Sequence, residues 1–151
     1  MPTNMIQRRQ QQGIALIEAM VATVILAIGL LGTVGLQARA FSAMNDASMR
    51  VEATLASEKL FGMMSTDVAN LSAYAMAAGG TPGTVLAKWV DETKGTTTTK
   101  GTVPGAVISV AVAPKSNGTN STAVTIKISW TRTAGGPVNT NTVTSYLSGS
   151  R

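Results

Sequence analysis

From Ile14 to Ala38 the chain carries a single charged residue, Glu18, and this run constrains the protein more than any other feature. About 25 residues at about 1.5 Å of helical rise each are enough to cross a bilayer core of roughly 30 Å. A helix that is apolar all round has no face to give to water, so lipid or other helices must surround it. A carboxylate inside such a run costs about 2.5–3.5 kcal/mol at the bilayer centre and less toward an interface. Glu18 therefore needs either a positive partner or a place near the headgroups.

The residues before the run carry Arg8 and Arg9 and no acid. Positive flanks stay on the cytoplasmic side, so the N-terminus is expected inside and everything after Ala38 outside. A secretory signal peptide has an apolar core of about 7–15 residues followed by a small-residue cleavage site. Here the apolar segment is longer and runs straight into a polar helical pattern. The small residue at a sharp polar-to-apolar boundary is Gly13, which precedes the span. Cleavage at that boundary removes the leader, 1–13, and keeps the span, 14–38. It also creates a positive α-amine on Ile14, four residues before Glu18 and close to the same helix face. In a bundle of parallel helices, a stagger of about one turn sets the amine of one chain beside Glu18 of another. Removing one partner from such a pair typically costs about 3–5 kcal/mol.

The stretch Gly13-Ile14-Ala15-Leu16-Ile17-Glu18, continuing through Ala19 to Gly32, resembles the class III signal of type IV prepilins. The part from Ile28-Gly29-Leu30-Leu31-Gly32 to Gln37 is most similar to PilV-type minor pilins, the type IV pilus modification proteins. The likeness covers about residues 8–40, and the remainder resembles the family in layout. This chain has Ile14 and Ala15 where pilins most often carry Phe and Thr. The resemblance implies cleavage after Gly13 by the prepilin peptidase, N-methylation of Ile14, and pairing of Glu18 with a neighbouring subunit's terminal amine. It implies a minor pilin that helps to prime pilus assembly and so supports twitching motility and adhesion. A minor pseudopilin of a type II secretion system carries the same signal and is the alternative. The implied partners are the prepilin peptidase, other minor pilins and the major pilin, met through the N-terminal helix. The implied location is the inner membrane, with the C-terminal domain periplasmic, and then the pilus filament.

Beyond the span the residues predict an α+β fold in which a long helix packs on a small antiparallel sheet of three to four strands. No proline occurs between Thr3 and Thr81, and the stripe Phe41, Met44, Ser48, Val51, Leu55, Leu60 or Phe61, Met64, Val68, Leu71 and Ala75 predicts a core-facing helix surface over 39–78. Gly62 and Ser65-Thr66-Asp67 mark a possible break in it. Arg39, Asp46, Arg50, Glu52, Lys59 and Asp67 form the expected solvated face. A β-rich part, 79–151, follows Gly79-Gly80-Thr81-Pro82-Gly83. Within it, Val124, Ile126, Ile128 and Trp130 alternate with polar residues, as in a half-buried strand, and Ile108, Val110 and Val112 do the same. Asn117-Gly118 centres a hairpin loop over 114–121, and 142–147 forms a third strand. Val85 to Val90 reads as a short element entering the sheet, and Gly95 to Gly101 as an exposed loop.

The composition narrows the function classes. Cysteine and histidine are absent, which removes the commonest nucleophile–base pairs and the commonest transition-metal ligand. No catalytic, metal or cofactor site is expected, and the protein is not expected to be an enzyme. Asp91-Glu92 reads as a solvated turn, and Met63-Met64 as filling in the core. The net charge of +5 falls to +3 once Arg8 and Arg9 leave, and the lysines are scattered singly, so no nucleic-acid partner is expected.

Overall fold

A computed structural model describes residues 6–113, 121–132 and 135–148, with 6–13 given by backbone course only. The elements are α1 (Ile6–Thr66), a 3₁₀ segment (Val68–Tyr74), α2 (Thr84–Lys94), β1 (Val107–Val112), β2 (Ser121–Thr131) and β3 (Val138–Ser148). Two compact units divide the chain, Met1–Asn45 and Asp46–Arg151. The fold is α+β and pilin-like, with a long N-terminal helix and a three-stranded antiparallel sheet.

The sheet order is β1-β2-β3. Register sets Ile108 opposite Ile128 and Val110 opposite Ile126, so the alternating apolar residues of both strands share one face. That face lies on α1 residues of the same unit. Ala53, Leu60 and Met64 are buried against a core that includes Leu86, Trp89, Val124, Ile126 and Trp130. The third strand is longer than the pattern over 142–147 indicates, and the expected loop over 114–121 lies outside the described residues except for Ser121.

The helix ends at Thr66 and does not reach Ala78. In its last turn the Ser65 and Thr66 hydroxyls donate back to the carbonyls of Gly62 and Met63, at 2.7 and 2.8 Å. Such local bonds compete with helix continuation. Asp67 then leaves helical geometry (φ −130°, ψ 47°), and the chain tightens into the 3₁₀ segment that buries Leu71 and Tyr74.

The expected core stripe is half right. Leu60, Met64 and Leu71 are buried, but Phe41, Met44, Val51 and Leu55 are 54–66% exposed. The step from Leu55 to Leu60 is five residues, and at about 100° per residue it moves the stripe to another face. The residues buried one and two turns earlier are small: Ala53, Ala56 and Ser57. Ala56 faces Trp89 of α2, whose indole N–H donates to its carbonyl at 2.9 Å, and the Ser57 hydroxyl is satisfied by the Ala53 carbonyl at 2.9 Å.

The segment from Val85 to Val90 does not enter the sheet; it is the centre of α2. Leu86, Trp89, Val90 and Thr93 point inward at steps of three, one and three, a helical spacing. Asp91 and Glu92 accordingly sit on this helix and not in a turn. The loop from Gly95 to Gly101 is exposed apart from its neck. There Gly95 and Gly101 cross so closely that a Cβ on either would overlap the other strand's backbone, and Gly95 holds φ +86°, which favours glycine.

Candidate functional site

The N-terminal part of α1 is built from residues that leave it no polar side. Every large apolar side chain from Ile14 to Leu36 is between 52% and 72% exposed, and these residues point in all directions around the helix. By length and composition α1 is able to cross a membrane. The polar groups inside the span are handled locally. Thr23 and Thr33 donate to the carbonyls of Met20 and Leu30, both at 2.8 Å, which hides two hydroxyls from an apolar surrounding. Gly29, Gly32 and Gly35 have no heavy atom within 4 Å of a built Cβ, so no packing within the chain demands glycine there.

Glu18 differs from those threonines. It is exposed, lies one helical turn after Ile14, and has no hydrogen-bond or ionic partner among the described residues. Gly13 lies within α1 by its backbone course. The chain thus brings Gly13, Ile14 and Glu18 within about a turn and a half of one another. The chemistry that this arrangement offers is ionic pairing across helices, because an acid on a bare apolar helix attracts a cation from outside its own chain.

In the second unit, Asp46, Arg50 and Lys59, read as part of a solvated face, also tie α1 to the rest of the domain, and Arg50 and Lys59 stay exposed as expected. Asp46 accepts an ion pair from Arg132 Nε at 3.0 Å, and Arg50 donates to Asn139 at 3.4 Å. Asn141 Nδ2 donates to Thr54 Oγ1 at 2.8 Å. Lys59 is paired with Glu92 of α2, and the Lys59 ammonium, assisted by Lys88, holds the Glu92 carboxyl below the usual glutamate range. Asp67 accepts from Asn70 at 2.7 Å and from Tyr74 Oη at 3.2 Å. Burial, and then the Asp67 charge and hydrogen bond, push the Tyr74 phenol above its ordinary range. These pairings connect positions 33 to 89 residues apart, apart from those of Asp67, and linear spacing along α1 gives no sign of them.

A cleft of about 140 Å³ lies between α1 and α2, lined by Glu52, Leu55, Ala56, Lys59, Trp89, Glu92, Thr93 and Thr102. Lys59 and Glu92 neutralise each other, the Trp89 indole N–H donates to the Ala56 carbonyl at 2.9 Å, and Glu52 is left without an ionic partner among the described residues. Among the described residues, no three His, Cys, Asp or Glu side chains converge as metal ligands.

A family model, the prokaryotic N-terminal methylation motif, matches residues 8–34. Neither a curated protein nor a solved structure matches the chain. The matched stretch contains Gly13, Ile14 and Glu18 and most of the all-round apolar segment. The chain is thus type IV prepilin-like in its N-terminal part, and that motif together with the span supports membrane anchoring.

Proposed function

We propose that this protein is a minor pilin of a type IV pilus, of the PilV type, acting in pilus assembly and priming and thereby in twitching motility and adhesion. The observation that carries the reading is Glu18, an acid without a partner among the described residues, in a helical stretch, 14–38, that is otherwise uncharged and exposed, inside the methylation motif that spans residues 8–34. In this reading the prepilin peptidase cleaves between Gly13 and Ile14, and the new amine of Ile14 is methylated. Glu18 then receives the terminal amine of a neighbouring subunit, and the two buried charges become a neutral couple that fixes axial register. The subunit is structural and not catalytic. It begins in the inner membrane with its N-terminus cytoplasmic, and it moves into the filament by exchanging lipid for the helices of other minor pilins and the major pilin.

The Ile28-Gly29-Leu30-Leu31-Gly32 segment supports a pilus subunit over a type II pseudopilin. The test is Glu18→Gln in the native cell, which preserves size and removes the charge. Incorporation into filaments is expected to fall by about 100-fold or more, the equivalent of the roughly 3–5 kcal/mol lost when one partner of a buried pair is removed. Wild-type incorporation of the variant rejects the pairing. Deleting the gene is expected to reduce surface pili and leave enzyme secretion intact; the reverse pattern assigns the chain to a secretion system.

A further inference from the structure

The two edges of the sheet are finished differently. The outer edge of β1 is taken: the Met76 N–H donates to Val110 O and the Val110 N–H to Met76 O, both at 2.9 Å, and the Gly79 N–H donates to Ile108 O at 3.3 Å. The outer edge of β3 has no such partner among the described residues. On its inner side β3 pairs with β2 at eleven consecutive positions without a bulge, from Val138 opposite Thr131 to Ser148 opposite Ser121. On its outer side it makes no backbone hydrogen bond among the described residues. Among the described residues the helix hydrogen-bonds to β3 through the side chains of Asn139 and Asn141, and Leu147 packs on the core, so these contacts use side chains and not the outer backbone edge.

Natural sheets protect such an edge with lysine, proline, a bulge or an inward charge. The sequence Val138–Ser148 has none of these, and no glycine either. Alternate residues of a strand turn their N–H and C=O away from the paired neighbour, and the row they form fits another extended backbone at about 4.8 Å. We propose that the β3 edge is a docking site for an extended strand of another prepilin-type subunit, which enlarges the sheet to four strands by β-augmentation. The class of partner rests on the pilin reading above; the chemistry of the site does not. A different chain is required because copies of this one in a common orientation bring β3 against the β1 edge of the next, and that edge is occupied at Ile108 and Val110. Val143 is half-buried on the inner face and Thr142 and Thr144 are exposed on the outer, so the site selects an uncharged strand rich in β-branched residues.

The test uses the full-length chain in detergent micelles, co-expressed with each of its cell's other prepilin-type subunits in turn, and reads amide hydrogen exchange. With one of these subunits, about half of the amides of Val138–Ser148 are expected to slow by about tenfold or more, while those of β1 do not change. Thr142→Pro and Val143→Pro address adjacent residues, of which one directs its N–H outward. That variant is expected to keep its far-UV spectrum and lose the partner-induced slowing. The proposal is overturned if no subunit slows β3, or if both folded proline variants retain the effect. Slowing that grows with the concentration of this chain alone assigns the edge to a second copy and overturns it as well. The N-terminal mass of the same sample separates the two ideas. A chain cleaved before Ile14 with β3 unprotected sinks the docking site alone, whereas an uncleaved chain with β3 protected by a partner sinks the pilin reading alone.

Discussion

Within α1, burial is absent before residue 46 and after it picks out one face whatever the side-chain size. From Ile14 to Met44 the Ile, Leu, Val and Met side chains are more than half exposed. After it, Ala53 and Ala56 are buried and Leu55, which lies between them in sequence, is 54% exposed. Hydrophobicity alone does not say which face of a helix meets its own domain. The first stretch is apolar for surroundings outside the chain, lipid or other helices, and the second buries one face in the core of its own domain.

The sharpest way to break this comparison is to truncate one leucine on each face. Leu60→Ala is expected to destabilise the domain by about 2–5 kcal/mol, because the residue is fully buried and its removal leaves a cavity. Leu55→Ala is expected to change stability by no more than about 0.5 kcal/mol. Denaturant unfolding followed by the fluorescence of the buried Trp89 and Trp130 reads both; equal effects would erase the distinction between the faces. A smaller loss, about 1–3 kcal/mol, is expected for Ala53→Leu, which adds apolar volume at a fully buried position. If that variant is more stable than wild type, the position is not filled to close packing and this explanation is wrong.

The smallest effects concern the tethers. Glu92 is held below its ordinary value of 4.5 by Lys59, so its contribution is present above that pH and is lost as pH falls through the lowered value. Tyr74 is raised above 10.0 by burial and Asp67, so its contribution is present below that pH and is lost as pH rises through the raised value. The Lys59–Glu92 pair is open to solvent, and Lys59→Met is expected to flatten the acid limb of the stability profile only slightly. Tyr74→Phe is expected to flatten the alkaline limb. An unchanged profile in both variants would show that these groups do not carry the dependence.

Much of this architecture was legible in the residues because its signals are local. Val124, Ile126, Ile128 and Trp130 alternate strictly, and all four are buried in β2. The apolar run and Glu18 stand out for the same reason. What failed involved contacts between distant parts of the chain. Val85 to Val90 is too short for its apolar residues to distinguish strand from helix, and Trp89 settles the matter only by reaching the Ala56 carbonyl. The helix face was misassigned because large residues mark apolar surfaces more strongly than alanine does, yet Ala53 and Ala56 are the residues that are buried. The partners of Asp46, Arg50 and Lys59 lie far along the chain, just past the end of β2, on β3 and on α2, so no spacing rule on α1 finds them. The free β3 edge had a readable sign, an eleven-residue strand without charge or proline, but its importance depends on β1 being covered.

The most direct test of the assembly account is the mass of the mature N-terminus, read from the protein isolated from its native membrane. The account predicts a chain that begins at Ile14 with a methylated amine, so that a cation is supplied for Glu18 of an adjoining subunit. A chain that retains residues 1–13, or one first cut beyond Ala38, contradicts it.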